Sequence, residues 1–487
     1  MFFKNGKGED AMINQIKEKL KSFRENIYNF FPSRRDAAME LVDSLSSNTH
    51  AKSVVELSLN PLHRRNYCSI TRVIDEYYHG SALEKQQQNK QLTQILSECC
   101  PPLQERPYHL FGLDCTSQAR VFSKTLADRG IVHAPNPILG NKPITIGHQY
   151  SLAVYFPEKL QDDTPPWVIP LSSERVSTQQ KGTLLGMKQI TDCIAQPVFQ
   201  GTLCVSVGDC AYSDSSCISE ANKNSDQVHV SRAKNNRTLY DSPKKSKQIR
   251  RGRPKRYGKK FQLSSRRLRN PDGSASFKMV SKKGKELLIV IEVWNDILMR
   301  GKRTANTSQI PFRMVRIRVF SALSGELLYA RPMWLIVSGR RRNELSLEDI
   351  YKIYCQRFDI EHFFKFGKNK LLMDKTQTPD INHEEAWWQF TMIAYTQLYA
   401  SRKLAEHIPA PWQKYLEEFK SHDQEKSPTQ VQKSFSRIIH EIGTPAKPPK
   451  PRKKSIGRQK GDIQVKRQRY GVIVKSKNKL QYAEMIT

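Results

Sequence analysis

Tyr354, Arg357, Glu361 and Lys368 fall within residues 354–368, and their spacing aligns all four on one stripe of a helix. At about 100° per residue and with Tyr354 at zero, Arg357 lies at about 300°, Glu361 at about 340° and Lys368 at about 320°. Upstream, Ser346 followed three residues later by Asp349 predicts a helix N-cap, and Leu347, Ile350 and Ile353 continue at helical spacing. A carboxylate flanked by a phenol and two cations suits a phosphodiester backbone with a metal ion on it. The cations and the phenol hold phosphate oxygens, and the carboxylate ligates a hard cation. An Arg–Glu pair four residues apart is also an ordinary surface ion pair. The stripe gains meaning only from what else the chain supplies.

Two further carboxylates stand out. Asp114 ends the apolar run from Tyr108, and Asp209 ends the run from Leu203. The C-terminal ends of strands are where α/β sheets present functional side chains, although a single such Asp is commonly a turn or cap residue. Together with Glu361 they make three carboxylates, enough to hold two hard divalent cations about 4 Å apart. Mg²⁺ and Mn²⁺ prefer such oxygen ligands. The nine cysteines are scattered, form no C-x-x-C pair and lack His partners at zinc spacing.

These side chains need a scaffold. Residues 1–102 read as helices, with apolar residues at three-and-four spacing over 13–31, 33–45 and 69–78. Residues 51–57, a break at 58–61 and a helix from near Arg64 would form either a helix-turn-helix for DNA recognition or a plain αα-hairpin. From 107 onward the pattern turns to strands at 108–114, 148–156, 167–171, 203–209 and 228–230, with a helix over 174–195. Strand-like runs follow at 286–294, 312–320 and 326–337, then the Tyr354 helix and another over 384–404. The fold class is α/β: a mixed sheet flanked by helices, interrupted by a mainly β insertion and preceded by a helical N-terminal domain. The expected boundaries are 1–102 for the helical domain, 103–232 with 333–440 for the core, 233–332 for the insertion and 441–487 for a basic, largely disordered tail.

Charge indicates the partner. Lys and Arg number 80 against 47 acids, a net charge of +33, which favours a polyanion, nucleic acid above all. Residues 232–269 hold 16 Lys or Arg and one acid, and 444–479 hold 13 and one. No apolar run of membrane-spanning length and no signal-peptide core is seen in the sequence, so a reduced, cytosolic setting without a membrane partner is expected. Met12 is a candidate start beside Met1.

Tyr, two residues, Arg, three residues, Glu, six residues and Lys is the signature of one group of DDE transposases of bacterial insertion sequences. Tyr354, Arg357, Glu361 and Lys368 match it without a gap. Asp114 to Asp209 is 95 residues and Asp209 to Glu361 is 152. The long second interval resembles the β-rich insertion with which these enzymes interrupt an RNase H-like core. The resemblance spans about 105–405. It implies that Asp114, Asp209 and Glu361 ligate Mg²⁺ or Mn²⁺, two ions in all. It implies that Tyr354, Arg357 and Lys368 contact the DNA backbone. Trp334, 20 residues before Tyr354, would stack on a flipped base during hairpin formation, or else serve as a core aromatic on its strand. The resemblance further implies binding of terminal inverted repeats, DNA end cleavage and strand transfer into target DNA, a homodimer on paired ends, and a cytoplasmic, nucleoid-associated protein. The rivals are an RNase H-like nuclease without strand transfer and a non-catalytic DNA-binding derivative.

The chain departs from simpler relatives in its basic insertion and tail. Gly252-Arg253-Pro254, flanked by Arg251 and by Lys255 and Arg256, resembles an AT-hook that lays Arg into a narrow minor groove. A solvated basic loop that binds phosphates without reading sequence is the favoured alternative.

Overall fold

The computed structural model describes residues 6–134, 142–161, 164–243, 255–264, 268–281, 284–301, 305, 307–407, 425–451, 457, 459–461, 463, 466–475 and 480–483. Four helices lead: α1 (Gly6–Phe30), α2 (Arg35–Ser46), α3 (Tyr67–Asp75) and α4 (Ala82–Ser97). The predicted 33–45 and 69–78 helices correspond to α2 and α3. Residues 51–57 are not helical; they form turns and a short 3₁₀ segment, Glu56–Leu59. Side chains capture the backbone there: the Asn48 amide bonds both ways with Ala51, and Ser53 bonds Glu56. Such local bonds compete with helix formation, and no helix-turn-helix results at 51–64.

The sheet begins with β1 (Tyr108–Ala119), β2 (Gly130–His133), β3 (Ile144–Tyr155) and β4 (Ile169–Val176). Helix α5 (Gly182–Ile194), β5 (Leu203–Gly208), α6 (Ser215–Ala221) and β6 (Gln227–Arg232) follow. The helix expected over 174–195 thus begins only at Gly182, because β4 stays paired with β3 as far as Val176. β1, β5 and β6 run parallel, and β3 is antiparallel to β1.

The insertion contributes a small hairpin, β7 (Thr238–Tyr240) and β8 (Lys260–Gln262), and the strands β9 (Gly273–Val280), β10 (Glu286–Ile297) and β11 (Phe312–Ser321). β12 (Met333–Ser338) joins β11 to β6, so β9 to β11 continue the central sheet rather than forming a separate layer. The strand expected over 326–337 is shorter at its start; Leu327 makes only an isolated bridge to Phe320. Helices α7 (Leu347–Gln356), α8 (Asp359–Lys370), α9 (Ile381–His407) and α10 (Pro428–Ile442) complete the flanking layer. In the tail, β13 (Val472–Lys475) and β14 (Leu480–Ala483) pair, and β13 docks beside β2. Val472 is buried there, and the Ile473 amide donates to the Arg129 carbonyl at 2.8 Å.

The larger of two cores joins the N-terminal helices to the sheet. Leu20, Phe23 and Ile27 of α1 and Leu41, Val42 and Leu45 of α2 share it with Trp387, Phe390 and Ile393 of α9 and with the sheet. Inside it, the Arg24 guanidinium, 1% exposed, bonds Asp43 and Gln397. Helices α1 to α3 are built onto the core through α9, and α4 through β4, where Thr93 Oγ1 donates to the Leu171 carbonyl at 3.0 Å. This is the RNase H-like α/β architecture, flanked by helices, that the sequence predicts. Among the described residues no helix is long and apolar enough to cross a membrane.

Candidate active site

Strand register brings the two aspartates together. Gly112 is opposite Val207 in the parallel β1–β5 pair, so Asp114 and Asp209, each two residues on, stand side by side. Asp209 follows the end of β5, whereas Asp114 lies within β1, which stays paired with β3 as far as Ala119 instead of ending at the aspartate as the apolar run suggests. Asp209 caps a short 3₁₀ turn, accepting from the Ala211 amide at 2.8 Å. Just before it, a Cβ on Gly208 would lie 2.8 Å from the Tyr212 ring. Glycine is required there for Tyr212 to pack beneath the turn.

The stripe predicted for one helix is carried by two. α7 starts at the predicted cap, with Ser346 Oγ accepting from the Asp349 amide at 3.0 Å. It ends at Gln356, and α8 starts at Asp359. Between them the amides of Phe358, Ile360 and Glu361 bond three residues back, to Cys355, Arg357 and Phe358. This 3₁₀ tightening needs no Pro or Gly and leaves no mark in the sequence pattern. Arg357 and Glu361 still meet: Arg357 Nη2 donates to Glu361 Oε1 at 2.9 Å, while Nη1 stands 3.9 Å from Asp114 Oδ2. One guanidinium links the helix carboxylate to the strand carboxylate.

The electrostatics follow from that crowding. Burial, and next the charge of Asp209, push the Asp114 carboxyl up to about 6; the Cys115 amide and Arg357 pull against them, and Glu361 adds to the push. The set is oxygen-only, partly dry and mutually repelling, which is the chemistry a hard divalent cation relieves. Glu361 is turned toward Arg357 with its side chain 54% exposed. Among the described residues no three His, Cys, Asp or Glu side chains close into a ligand cage; the residues fit such an ion once Glu361 swings from Arg357.

Lys368 reaches back to the same strand, its ammonium 2.7 Å from Thr116 Oγ1 and 3.2 Å from the Ser117 carbonyl. Burial lowers its pKa. Tyr354 is buried, its hydroxyl pKa raised by that burial, beside Arg357 and Arg232. Farther along β1, the buried Glu384 of α9 accepts from Arg120 Nε at 2.6 Å, Tyr150 Oη at 2.8 Å and His148 Nδ1 at 2.8 Å. Burial alone would raise its pKa, but His148 and Arg120 hold it below the usual carboxylate range. These contacts fix the strand that carries Asp114.

Trp334 lies elsewhere. It is 2% exposed in a second core with Trp294 and Phe261, and Arg316 covers both Trp294 and Trp334. With no free face, the ring serves the core in this conformation and cannot stack a base. Lys255 and Arg256 are exposed; Arg251 and Arg253, with the AT-hook-like centre, lie outside the described residues. Arg232 and Thr116, partners of Tyr354 and Lys368, were not legible in the sequence, since only the β6–α7 and β1–α8 placements make them neighbours.

A model of the DDE superfamily endonucleases matches residues 26–283, and one of the transposase DDE domain matches 173–397. No curated protein matches the chain. The first match spans Asp114 and Asp209 and covers more than half of the sequence; the second spans Asp209 and Glu361. With a helix glutamate and a strand aspartate joined by one arginine, and a second aspartate beside the first on an RNase H-like sheet, the chain belongs to the DDE superfamily of endonucleases, among its transposases.

Proposed function

We propose that this protein is a cut-and-paste transposase that binds the terminal inverted repeats of its element, cleaves at the ends and joins the freed 3′-hydroxyls to target DNA. The observation that carries the reading is the Arg357 guanidinium linking Glu361 to Asp114 beside Asp209. Asp114, Asp209 and Glu361 would hold Mg²⁺ or Mn²⁺, two ions in all. Such ions supply an activated attacking oxygen and a stabilised leaving oxygen for an in-line displacement.

The chain's own groups do the rest. Glu361 would leave Arg357 to help hold the ion, and the guanidinium so freed would turn its donors to the phosphate next to the scissile bond. Tyr354, held against Arg357, sets that orientation. Lys368, anchored on Thr116, takes backbone phosphate alongside. Lys255 and Arg256, with Arg251 and Arg253 of the same basic stretch, add phosphate contacts without base readout. A homodimer on paired ends would place one such site at each end, and the working location is the nucleoid.

The test is incubation of the purified protein with labelled element ends and Mn²⁺. Cleaved and joined products are expected from the parent and neither from Asp209→Ala or Glu361→Gln. If either variant cuts as well as the parent, the carboxylate assignment is wrong.

A further inference from the structure

Past Asp114 and the Lys368 anchor, β1 leads into a turn whose Phe122 ring is 94% exposed. An aromatic so bare on a loose loop would mean little, but this turn is fixed. The Arg129 guanidinium, buried beneath it, donates to the carbonyls of Leu126, Arg120, Val121 and Tyr470 at 3.0–3.2 Å. The last of these bonds reaches into the tail, and the Tyr470 amide returns a bond to the Lys124 carbonyl at 2.9 Å. The basic run 466–470 is thereby clamped against the Phe122 turn.

The clamp gathers two exposed aromatics, Phe122 and Tyr470, among four exposed cations, Lys124, Lys466, Arg467 and Arg469. Residues 466–475 contain no acid. Asp128, the acid beside Arg129, is committed to Arg175 and Thr178. Among the described residues none of the four cations has an ion-pair partner. Interleaved cations and bare rings are the grip used for single strands: the cations track phosphates, and the rings stack bases that only an unpaired stretch can offer.

We infer that this platform binds a single-stranded stretch of the DNA substrate, adjoining the duplex held at the carboxylates. The inference rests on the proposed function for its DNA. β1 runs five residues from Asp114 to the strand end at Ala119, on the order of 17 Å at ~3.3 Å per residue. That is about five nucleotides at 3.4 Å each. A tail of that length or longer reaches Phe122; a shorter one does not.

Full-length parent, Phe122→Ala and Phe122→Trp are titrated by fluorescence anisotropy with blunt duplex and with duplexes carrying tails of two or eight nucleotides. Phe122→Ala is expected to lose affinity for the eight-nucleotide tail by about tenfold, and Phe122→Trp to keep it. Blunt and two-nucleotide substrates should bind all three proteins alike. Arg467→Gln with Arg469→Gln should reduce the salt dependence of tail binding by roughly 0.7 per lost contact. Melting temperatures should stay unchanged, since these side chains are exposed. If the parent binds and cuts DNA while Phe122→Ala holds the long tail as tightly, this inference falls and the proposed function stands. Equal loss on blunt and tailed DNA, or a changed oligomeric mass for Phe122→Ala, also overturns it. A parent that binds no DNA brings down both.

Discussion

Arg357 Nη2 donates to Glu361 Oε1 at 2.9 Å. Without this bond a helix glutamate and a strand aspartate would face each other uncompensated, because Asp114 lies 3.9 Å from the same guanidinium. The arginine therefore does two things: it keeps the carboxylates compatible in the free protein, and it is placed to meet phosphate when a cation takes over that duty. Arg357→Gln is expected to lower end cleavage by about 10²-fold or more, the scale for removing a preorganised donor. Arg357→Lys should not rescue it, since a single ammonium cannot serve two carboxylates in a fork. Labelled-end cleavage beside a melting curve separates lost chemistry from lost fold; a lysine variant cutting at the parent rate would sink the bridging role.

Trp334 carries the opposite expectation. Its ring packs against Trp294 at 5.5 Å between centroids, under Arg316. Trp334→Ala should destabilise the protein by about 3–5 kcal/mol, read in urea unfolding. Trp334→Phe should retain both stability and cleavage per folded molecule. A Phe variant that melts like the parent yet stalls after the first nick would return the ring to the DNA.

What the sequence reveals and conceals follows from the range of the interactions. The end of β5 at Asp209 was legible because an apolar run marks a buried parallel strand, and the Ser346 cap because it is local. The strand carrying Asp114 was legible but not its end, since β1 runs on to Ala119 through polar residues held by β3. The break between α7 and α8 was not, since 3₁₀ tightening at Arg357 and Phe358 changes neither composition nor period. Nor was the placement of β9 to β11: an edge that continues the core sheet and one that forms its own layer share the same alternation. The helix misread at 51–57 came from apolar spacing overruled by the Asn48 and Ser53 side chains. The docking of β13 involves the Arg129 clamp, which ties the nearby carbonyls of Leu126, Arg120 and Val121 to that of Tyr470, 341 residues away.

The N-terminal helices should prove inseparable from the core. Arg24 and Asp43 form a buried pair with Gln397 of α9. Removing one partner of such a pair strands the other's charge, at a cost of about 3–5 kcal/mol. Arg24→Ala is expected to lose that much in urea unfolding, with one cooperative transition reported both by α9 tryptophan fluorescence and by helix content. Two separated transitions, or an unaltered midpoint, would instead make residues 1–102 an independent domain.

Acid should weaken the sheet through His229. This residue is fully buried on β6, its Nδ1 2.9 Å from Ser206 Oγ, with the Tyr212 ring nearby. Burial lowers its pKa to about 4, although the Tyr212 backbone, as an acceptor, pulls the other way. The unfolded chain titrates near 6.5, so it takes up a proton that the folded protein refuses. The stability tied to neutral His229 is thus complete above about pH 6.5 and is lost as pH falls toward 4, by roughly 3 kcal/mol over the window. His109, also held down to about 4 by burial, adds to the same slope. Unfolding free energies measured between pH 7 and 4.5 should fall steadily for the parent and less steeply for His229→Gln. Identical slopes would show that the imidazole protonates inside the fold without penalty, and that burial at β6 does not govern it.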